Sequence, residues 1–163
     1  MTNCIICQTE ENYLLSIQHR VIGFRYSLER DTQLFSVGDR IIFYISRRSL
    51  ENPGDPVQAF RGKARIAGDR YFSDKELWKP NRGDIFPYRF PIDSIQDTNL
   101  VAIRPLIEKL RFITDFSYWA LPLQRGYVRL SQEDWAVITS LMSIVQTVEG
   151  KGHESERGGD LPI

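Results

Sequence analysis

A run of five consecutive apolar residues, from Ile41 to Ile45, constrains the fold most strongly. It follows a Val-Gly-Asp turn at 37–39 and predicts a strand over 40–46. A strand with one face in water alternates apolar and polar residues, whereas a continuous apolar run indicates burial on both faces. A chain with such a strand has to cover both of its sides, which favours a layered domain.

Further strands are predicted over residues 2–8, 57–67, 86–95 and 100–103. Gly62 inside the third of these five strands indicates a bulge or a close backbone approach, and Pro87 and Pro91 place the strand over 86–95 at an edge or a bulge. Together with the helices below, these strands predict an α+β fold, a small mixed β pseudo-barrel of about five to six strands with peripheral helices.

Two helices have clear N-terminal signals. Thr9 is a typical N-cap, with Glu10 and Glu11 in the first turn, where the helix dipole favours negative charge. Ser131 begins the second helix, whose predicted apolar stripe is Trp135, Ile138, Met142 and Val145. The expected domain spans 1–147, and the polar stretch 148–163 is expected to be a disordered tail.

The chain has 163 residues and no net charge, which argues against coating nucleic acid by bulk charge. Residues 61–90 nevertheless carry a net charge of +4, which suggests a local anion contact, although a solvated surface gives the same pattern. Neither a secretory signal nor a membrane-spanning apolar run is recognisable, so a cytoplasmic protein is expected.

Cys4 and Cys7 form a C-x-x-C pattern within the first predicted strand. Residues three apart on a strand point to opposite faces, so neither a disulfide nor a shared metal site is expected. The two histidines, His19 and His153, complete no four-ligand zinc set, and the sequence predicts no cofactor and no metal.

The loop after residue 77 has the composition of a nucleobase site. Trp78 stands among Lys79, Asn81 and Arg82. An aromatic ring stacks on a base, an amide binds its edge, and cations contact phosphate. The alternative for Trp78 is a core residue that caps one end of the barrel. Asn81 has the alternative of a turn residue, and Arg82 that of a surface ion pair.

Two other segments supply candidates for the same site. Phe24, Arg25 and Tyr26 place a cation between two aromatic rings after the first helix. Trp119 and Arg125 lie on a loop punctuated by Pro122 and Gly126. Core packing is the alternative for Phe24 and Trp119. The predicted base pocket therefore comprises Trp78, Asn81, Phe24, Tyr26, Tyr44 and Trp119, and the predicted phosphate contacts are Lys79, Arg82, Arg25 and Arg125.

The order of these motifs resembles the EVE domain of the PUA-like superfamily, which is related to YTH and ASCH domains. The matching stretches are 37–44, 62–65, 78–83 (Trp-Lys-Pro-Asn-Arg-Gly), 87–90 (Pro-Tyr-Arg-Phe) and 106–113, followed by Trp119, Gly126 and 130–134. The resemblance covers about residues 1–147. It implies a pseudo-barrel with a base pocket at one end, and it places Trp78 at one pocket wall. The chain departs from the family in two places where many relatives have Trp: near Asn3 or Cys4 in the first strand, and near Ile22 after the first helix.

These observations predict a nucleic-acid-binding module that recognises a modified, for example methylated, base of DNA or RNA in a pocket at the barrel end. A small-ligand or protein-interaction domain using the same pocket is the main alternative. An RNA-processing enzyme is a further alternative, but no nucleophile elbow or phosphate loop is recognisable in the sequence, and the protein is expected not to be an enzyme.

Overall fold

The computed structural model describes residues 1–51 and 55–148. These residues form nine strands: β1 (Asn3–Gln8), β2 (Val21–Phe24), β3 (Arg40–Arg47), β4 (Pro56–Ile66), β5 (Tyr71–Phe72), β6 (Tyr88–Thr98), β7 (Val101–Ala102), β8 (Tyr127–Leu130) and β9 (Ile144–Thr147). The helices are α1 (Glu10–His19) and α2 (Gln132–Thr139), with short 3-10 helices at Tyr26–Leu28, Asp31–Leu34, Arg104–Leu106, Phe116–Tyr118 and Leu121–Arg125.

The strands form one curled mixed sheet in the order β2-β6-β4-β3-β1-β8. β1 and β3 run parallel, with Cys7 opposite Tyr44, and the other neighbours along this path are antiparallel. Short strands β5 and β9 pair with β6, and β7 pairs with β4. This half-barrel with peripheral helices confirms the predicted α+β, PUA-like fold.

The central strand β3 is buried on both faces, as its apolar run predicts. Ile41, Phe43 and Ile45 point into one hydrophobic cluster together with Tyr13 of α1. Ile42 and Tyr44 point into a second cluster, which α2 and the 3-10 segments cover. A single strand therefore joins two cores, and its N-terminal and C-terminal ends lie at opposite ends of the half-barrel.

The predicted helix starts and the glycine bulge are confirmed. Thr9 Oγ1 accepts from the amide of Asn12 at 3.2 Å, and Ser131 Oγ accepts from the amide of Asp134 at 3.1 Å. Gly62 has a φ of +76° at a register shift of β4, and a Cβ there would collide with the Tyr13 hydroxyl. Glycine satisfies both the backbone conformation and the close approach of α1.

Two expectations about the elements are wrong. α2 ends at Thr139, so Val145 does not continue its apolar stripe; it lies on β9 with its side chain exposed. β6 is an interior strand, because Pro91 pairs with Val21 of β2 while β4 binds further along β6. The bulge alternative for this strand holds, since Ser94 has a φ of +52° beside a register shift.

None of the helices in the described ranges has the length and apolar character needed to span a membrane. The predicted disordered tail lies outside the described residues except for Val148, whose amide donates to the carbonyl of Ile95.

Candidate functional site

A cavity of about 390 Å³ opens at the end of the half-barrel where the parallel strands β1 and β3 terminate. The end of β2, the first turn of α1, the loop around Asn81 and the 3-10 segment Leu121–Arg125 complete its walls. The cavity falls within the range of about 300–1,000 Å³ that is typical of small-molecule sites. We refer to it as the barrel-end cavity.

Four aromatic side chains line the barrel-end cavity: Phe24, Tyr44, Phe86 and Trp119. Phe24 and Tyr44 are almost fully buried and close its inner part, whereas Phe86 and Trp119 are half-buried. The guanidinium of Arg104 lies over the Trp119 ring, 5.3 Å from its centroid. The cavity thus contains aromatic surfaces of the kind on which a planar ligand stacks.

Trp78 lies behind Phe86 rather than on the cavity surface. Its side chain is 2% exposed, and its indole Nε1 donates to Ser16 Oγ of α1 at 2.9 Å. The Arg89 guanidinium stacks over the indole at 5.0 Å, and Phe86 packs perpendicular to it with centroids 5.9 Å apart. The structure therefore places Trp78 in the core, and Phe86 is the ring that this loop presents to the cavity.

The Phe86 ring is fixed by an unusual backbone conformation. Phe86 has a φ of +58°, which is rare for a bulky residue and persists where surrounding contacts impose it. Its amide donates to Asp84 Oδ1 at 3.0 Å, and its carbonyl accepts from Arg89 Nε at 3.1 Å. Gly23 of β2 packs against the same carbonyl, so the ring is held from several sides.

The loop that carries this wall is also clamped to α1. Asn12 uses both ends of its side-chain amide on one residue: Oδ1 accepts from the amide of Lys79 at 3.0 Å, and Nδ2 donates to the Lys79 carbonyl at 3.2 Å. Beyond the clamp, Asn81 and Asp84 exchange two backbone hydrogen bonds across a tight turn. The turn interpretation of Asn81 is therefore correct for its backbone.

Several polar side chains at the cavity are uncommitted. In the described ranges, the amides of Asn81 and Gln124 and the hydroxyls of Ser46 and Tyr44 have no hydrogen-bond partner. Burial raises the pKa of Tyr44, so the hydroxyl stays protonated and is available as a donor and an acceptor. These groups are suited to bind the polar edge of a ligand.

The charge around the cavity is positive. Arg25 and Arg47 line it, and across residues 1–51 and 55–148 no carboxylate does. At its mouth, a recess of about 330 Å³ is formed by Arg25, Arg47, Asn81, Arg82 and Asp84; we call it the arginine recess. Both Asp84 carboxylate oxygens accept backbone amides, from Tyr26 and Phe86. Arg25 Nη2 also donates to the Arg125 carbonyl, but three arginines against one carboxylate leave an excess of positive charge in the recess, which suits an anion.

The structure brings part of the predicted site together. Phe24, Tyr44, Asn81, Trp119 and Arg25 line the cavity, and Arg82 lines the recess. Lys79 is exposed and lines neither, while Arg125 lies in a separate surface groove with its guanidinium over Tyr127. Tyr26 is half-exposed outside the cavity, and Ile22 is fully buried in the core.

Phe86 and Arg47 line the cavity but are not among the site residues that the sequence predicts. Phe86 precedes a proline in a predicted strand, and no periodicity marks it as a loop residue that faces a cavity. Arg47 follows the apolar run of β3, and a polar residue at the end of the central strand, where ligands often bind, is the available signal.

Clustered metal ligands and a reactive thiol at the cavity would be two further kinds of site in the described part of the chain. No group of three or more His, Cys, Asp or Glu side chains is arranged to hold a metal ion within it. Both cysteines are free thiols, Cys4 in one hydrophobic cluster and Cys7 against the other. Burial raises the pKa of Cys7 to about 12, so this thiol at the cavity is neutral near pH 7 and a poor nucleophile.

The same fold occurs in solved proteins of low sequence identity. Human THYN1, solved in complex with DNA containing 5-methylcytosine, matches with a TM-score of 0.55 at 12% identity over 86% of this chain and 97% of that one. The N-terminal domain of McrB from Staphylothermus marinus gives 0.54 at 15% identity (85% and 93% covered). A variant of the ZmASCH protein from Zymomonas mobilis gives 0.57 at 14% identity (88% and 100%). These similarities place the chain in the PUA-like fold class.

The curated sequences that resemble this chain carry the name UPF0310 protein. The one from Mycolicibacterium gilvum is 28% identical over 144 residues, which are 88% of this chain and 97% of the relative. The one from Mycobacterium avium is 27% identical over 143 residues, with 88% and 99% covered. No protein-family model matches the chain.

Proposed function

We propose that this protein is a nucleic-acid-binding module of the EVE type, which holds one modified base in the barrel-end cavity and the adjoining phosphates in the arginine recess. The observation that carries the proposal is the composition of the joined sites. Aromatic walls, uncommitted amides and hydroxyls, and three arginines against a single aspartate meet at one end of the half-barrel. Human THYN1, which shares the fold, has been solved with DNA containing 5-methylcytosine.

In this proposal the base stacks between Phe86 and Trp119, and its edge is bound by Asn81 and Tyr44. Phe24 closes the inner end of the cavity, and Trp78 acts from behind as a positioning residue for Phe86. In this proposal the base leaves its stack to enter the cavity, because a base stacked on both faces cannot lie between two aromatic walls.

The phosphates on either side of the base then meet Arg25, Arg47 and Arg82. Each phosphate neutralised by a guanidinium releases counterions, so binding is expected to weaken as salt rises. Lys79 and Arg125 lie outside the recess and are proposed as outer contacts to the same strand.

Fluorescence anisotropy with labelled methylated, hydroxymethylated and plain DNA and RNA, at about 50 and about 200 mM salt, tests the proposal. Trp119→Ala is expected to weaken binding of the preferred base by about 5- to 150-fold, which corresponds to about 1–3 kcal/mol of stacking. Phe116→Ala is the matched control, because Phe116 is 55% exposed and lines none of the sites above.

A second pair of variants tests the recess separately. Arg47→Gln is expected to weaken every oligonucleotide alike and to reduce the salt dependence, while Arg111→Gln, an exposed arginine away from the recess, changes neither. Equal affinity of the wild-type protein for all bases, unaffected by Trp119→Ala, would contradict the proposal.

A small-ligand domain is the second candidate, and the volume and aromatic lining of the cavity favour it. A free nucleotide or metabolite that binds with the same affinity as an oligonucleotide, and without dependence on Arg82, would support this candidate instead.

A further inference from the structure

An exposed row of aromatic rings lies beside the arginine recess. Tyr26 is 49% exposed and Phe72 is 57% exposed, and both contact the half-buried Tyr88 between them. The Tyr26 and Tyr88 centroids are 6.3 Å apart with the rings nearly perpendicular, and those of Tyr88 and Phe72 are 5.6 Å apart. We call these three residues the aromatic ladder.

Three adjacent strands build the ladder. Phe72 of β5 is paired directly with Tyr88 of β6, and Tyr88 is paired on its other side with Phe24 of β2, two residues before Tyr26. Arg70 holds the row in place: its guanidinium lies over the Tyr88 ring at 5.2 Å and donates to Thr32 Oγ1 at 2.9 Å. The outer rings are therefore displayed on a rigid base of backbone pairing.

The ladder is continuous with the arginine recess. Tyr26 follows Arg25, which lines the recess, and the Tyr26 amide donates to Asp84 Oδ2 at 3.0 Å. One end of the ladder therefore stands at the rim of a site where three guanidinium groups surround a single carboxylate. Tyr26 is therefore within reach of a nucleotide next to one whose phosphate lies in the recess.

On this surface we infer a stacking platform for unpaired nucleotides next to the base held in the cavity. The inference rests on the proposed function and adds the form of the ligand, a locally single-stranded segment. Exposed aromatic rings next to cations are typical of single-strand-binding surfaces, because every base offers a flat face for stacking whatever its sequence. Bases within a duplex have both faces covered, so the ladder distinguishes the two forms.

The charges next to the aromatic ladder are mixed, so the proposed contact of this surface with nucleotides is stacking rather than charge attraction. Glu29 lies next to Tyr88 and Arg70, and the segment around Phe72 contains Asp74 as well as Lys75. The phosphate contacts belong to the recess, and the base contacts belong to the rings.

The experiment measures affinities of the protein for a labelled 12-nucleotide DNA single strand and for the blunt duplex of the same sequence, each with 5-methylcytosine or with cytosine at one central position. Tyr26→Ala and Phe72→Ala are each expected to weaken single-strand binding by about 5- to 150-fold and to leave duplex binding unchanged. Tyr26→Phe keeps a ring and is expected to keep wild-type affinity. Phe116→Ala, with similar exposure, is the control, and circular dichroism checks the fold of each variant.

The outcomes separate this inference from the proposed function. If the ladder variants bind the single strand as the wild-type protein does, or if Phe116→Ala weakens it equally, the platform is refuted while base selectivity can still stand. If the ladder variants lose single-strand binding but the wild-type protein shows no preference among bases, the platform is supported and modified-base recognition fails. If the wild-type protein binds neither form, both fail.

Discussion

Gly23 offers the sharpest test of how the cavity wall is built. A Cβ at this position would lie 2.5 Å from Trp78 Cζ3, 2.6 Å from Trp78 Cη2 and 2.7 Å from the Phe86 carbonyl oxygen. Carbon atoms in ordinary contact are about 3.5–4.0 Å apart, so Gly23→Ala forces the indole or the Phe86 backbone to move by about 1 Å. Because Trp78 is buried and hydrogen-bonded to Ser16, it has little room to move.

Overpacking of this kind costs about 1–3 kcal/mol of unfolding free energy. For a domain of this size, that corresponds to a melting temperature about 2–12 °C lower. Urea denaturation followed by tryptophan fluorescence measures the loss of unfolding free energy. Anisotropy with a labelled oligonucleotide measures the change in affinity that a displaced Phe86 would cause. We expect both stability and affinity to fall in Gly23→Ala.

Trp78→Phe provides the rescue, since the shorter phenyl ring withdraws from the position of Cζ3 and Cη2. On its own it is destabilising, because it removes the indole hydrogen bond to Ser16 and leaves a cavity. In combination with Gly23→Ala it should cost clearly less than the sum of the two single changes. Gly38→Ala is the control: its φ of +94° strains an alanine there, but a Cβ meets no atom within 4 Å, so Trp78→Phe must not rescue its cost. Additive costs for Gly23→Ala and Trp78→Phe would refute the packing argument.

Two further predictions concern buried polar groups. Burial alone raises the pKa of the Asp97 carboxyl, but hydrogen bonds from Arg61 (2.8 and 2.9 Å) and Tyr13 (2.7 Å) outweigh it and hold that pKa below its ordinary value. The resulting stabilisation is present above about pH 4 and is lost as pH falls through the folded-state pKa. Arg61→Gln should therefore lower the free energy of unfolding by about 1–3 kcal/mol at pH 7. It should also reduce the loss of stability toward acid pH in urea denaturation, and an unchanged acid dependence would contradict this. Burial raises the pKa of both thiols, so Cys4 and Cys7 should resist iodoacetamide at pH 8 in the native protein. Both should react once urea unfolds the protein. Rapid labelling of native Cys7 would contradict its burial at the cavity.

The sequence predicted those elements whose signals are local. Thr9 and Ser131 cap their helices because a side-chain oxygen and an amide three residues on suffice. The apolar run in β3 indicated burial on both faces because no other environment suits it. Gly62 was predicted to mark a bulge from another local signal, a single glycine inside a strand.

The site was harder to predict because its decisive contacts join distant parts of the chain. Whether Trp78 or Phe86 faces the cavity depends on Ser16, Gly23 and Arg89, which are brought together only by the fold. Composition around Trp78 indicated a loop that lines the barrel-end cavity, but the orientation of each ring is a tertiary property. Val145 shows the same limit of sequence-based prediction. Its spacing fits the helical stripe, but the chain there forms β9, which pairs with the distant strand β6.

The Asn12 clamp on the Lys79 peptide has a kinetic consequence. Because α1 fixes the loop before any ligand arrives, the cavity wall is already ordered, and no closing motion has to precede capture. Association should then proceed in a single phase whose rate rises linearly with ligand concentration, and differences among ligands should reside in how long each one stays bound. Removing the two Asn12 hydrogen bonds would leave this loop to become ordered only when a ligand binds.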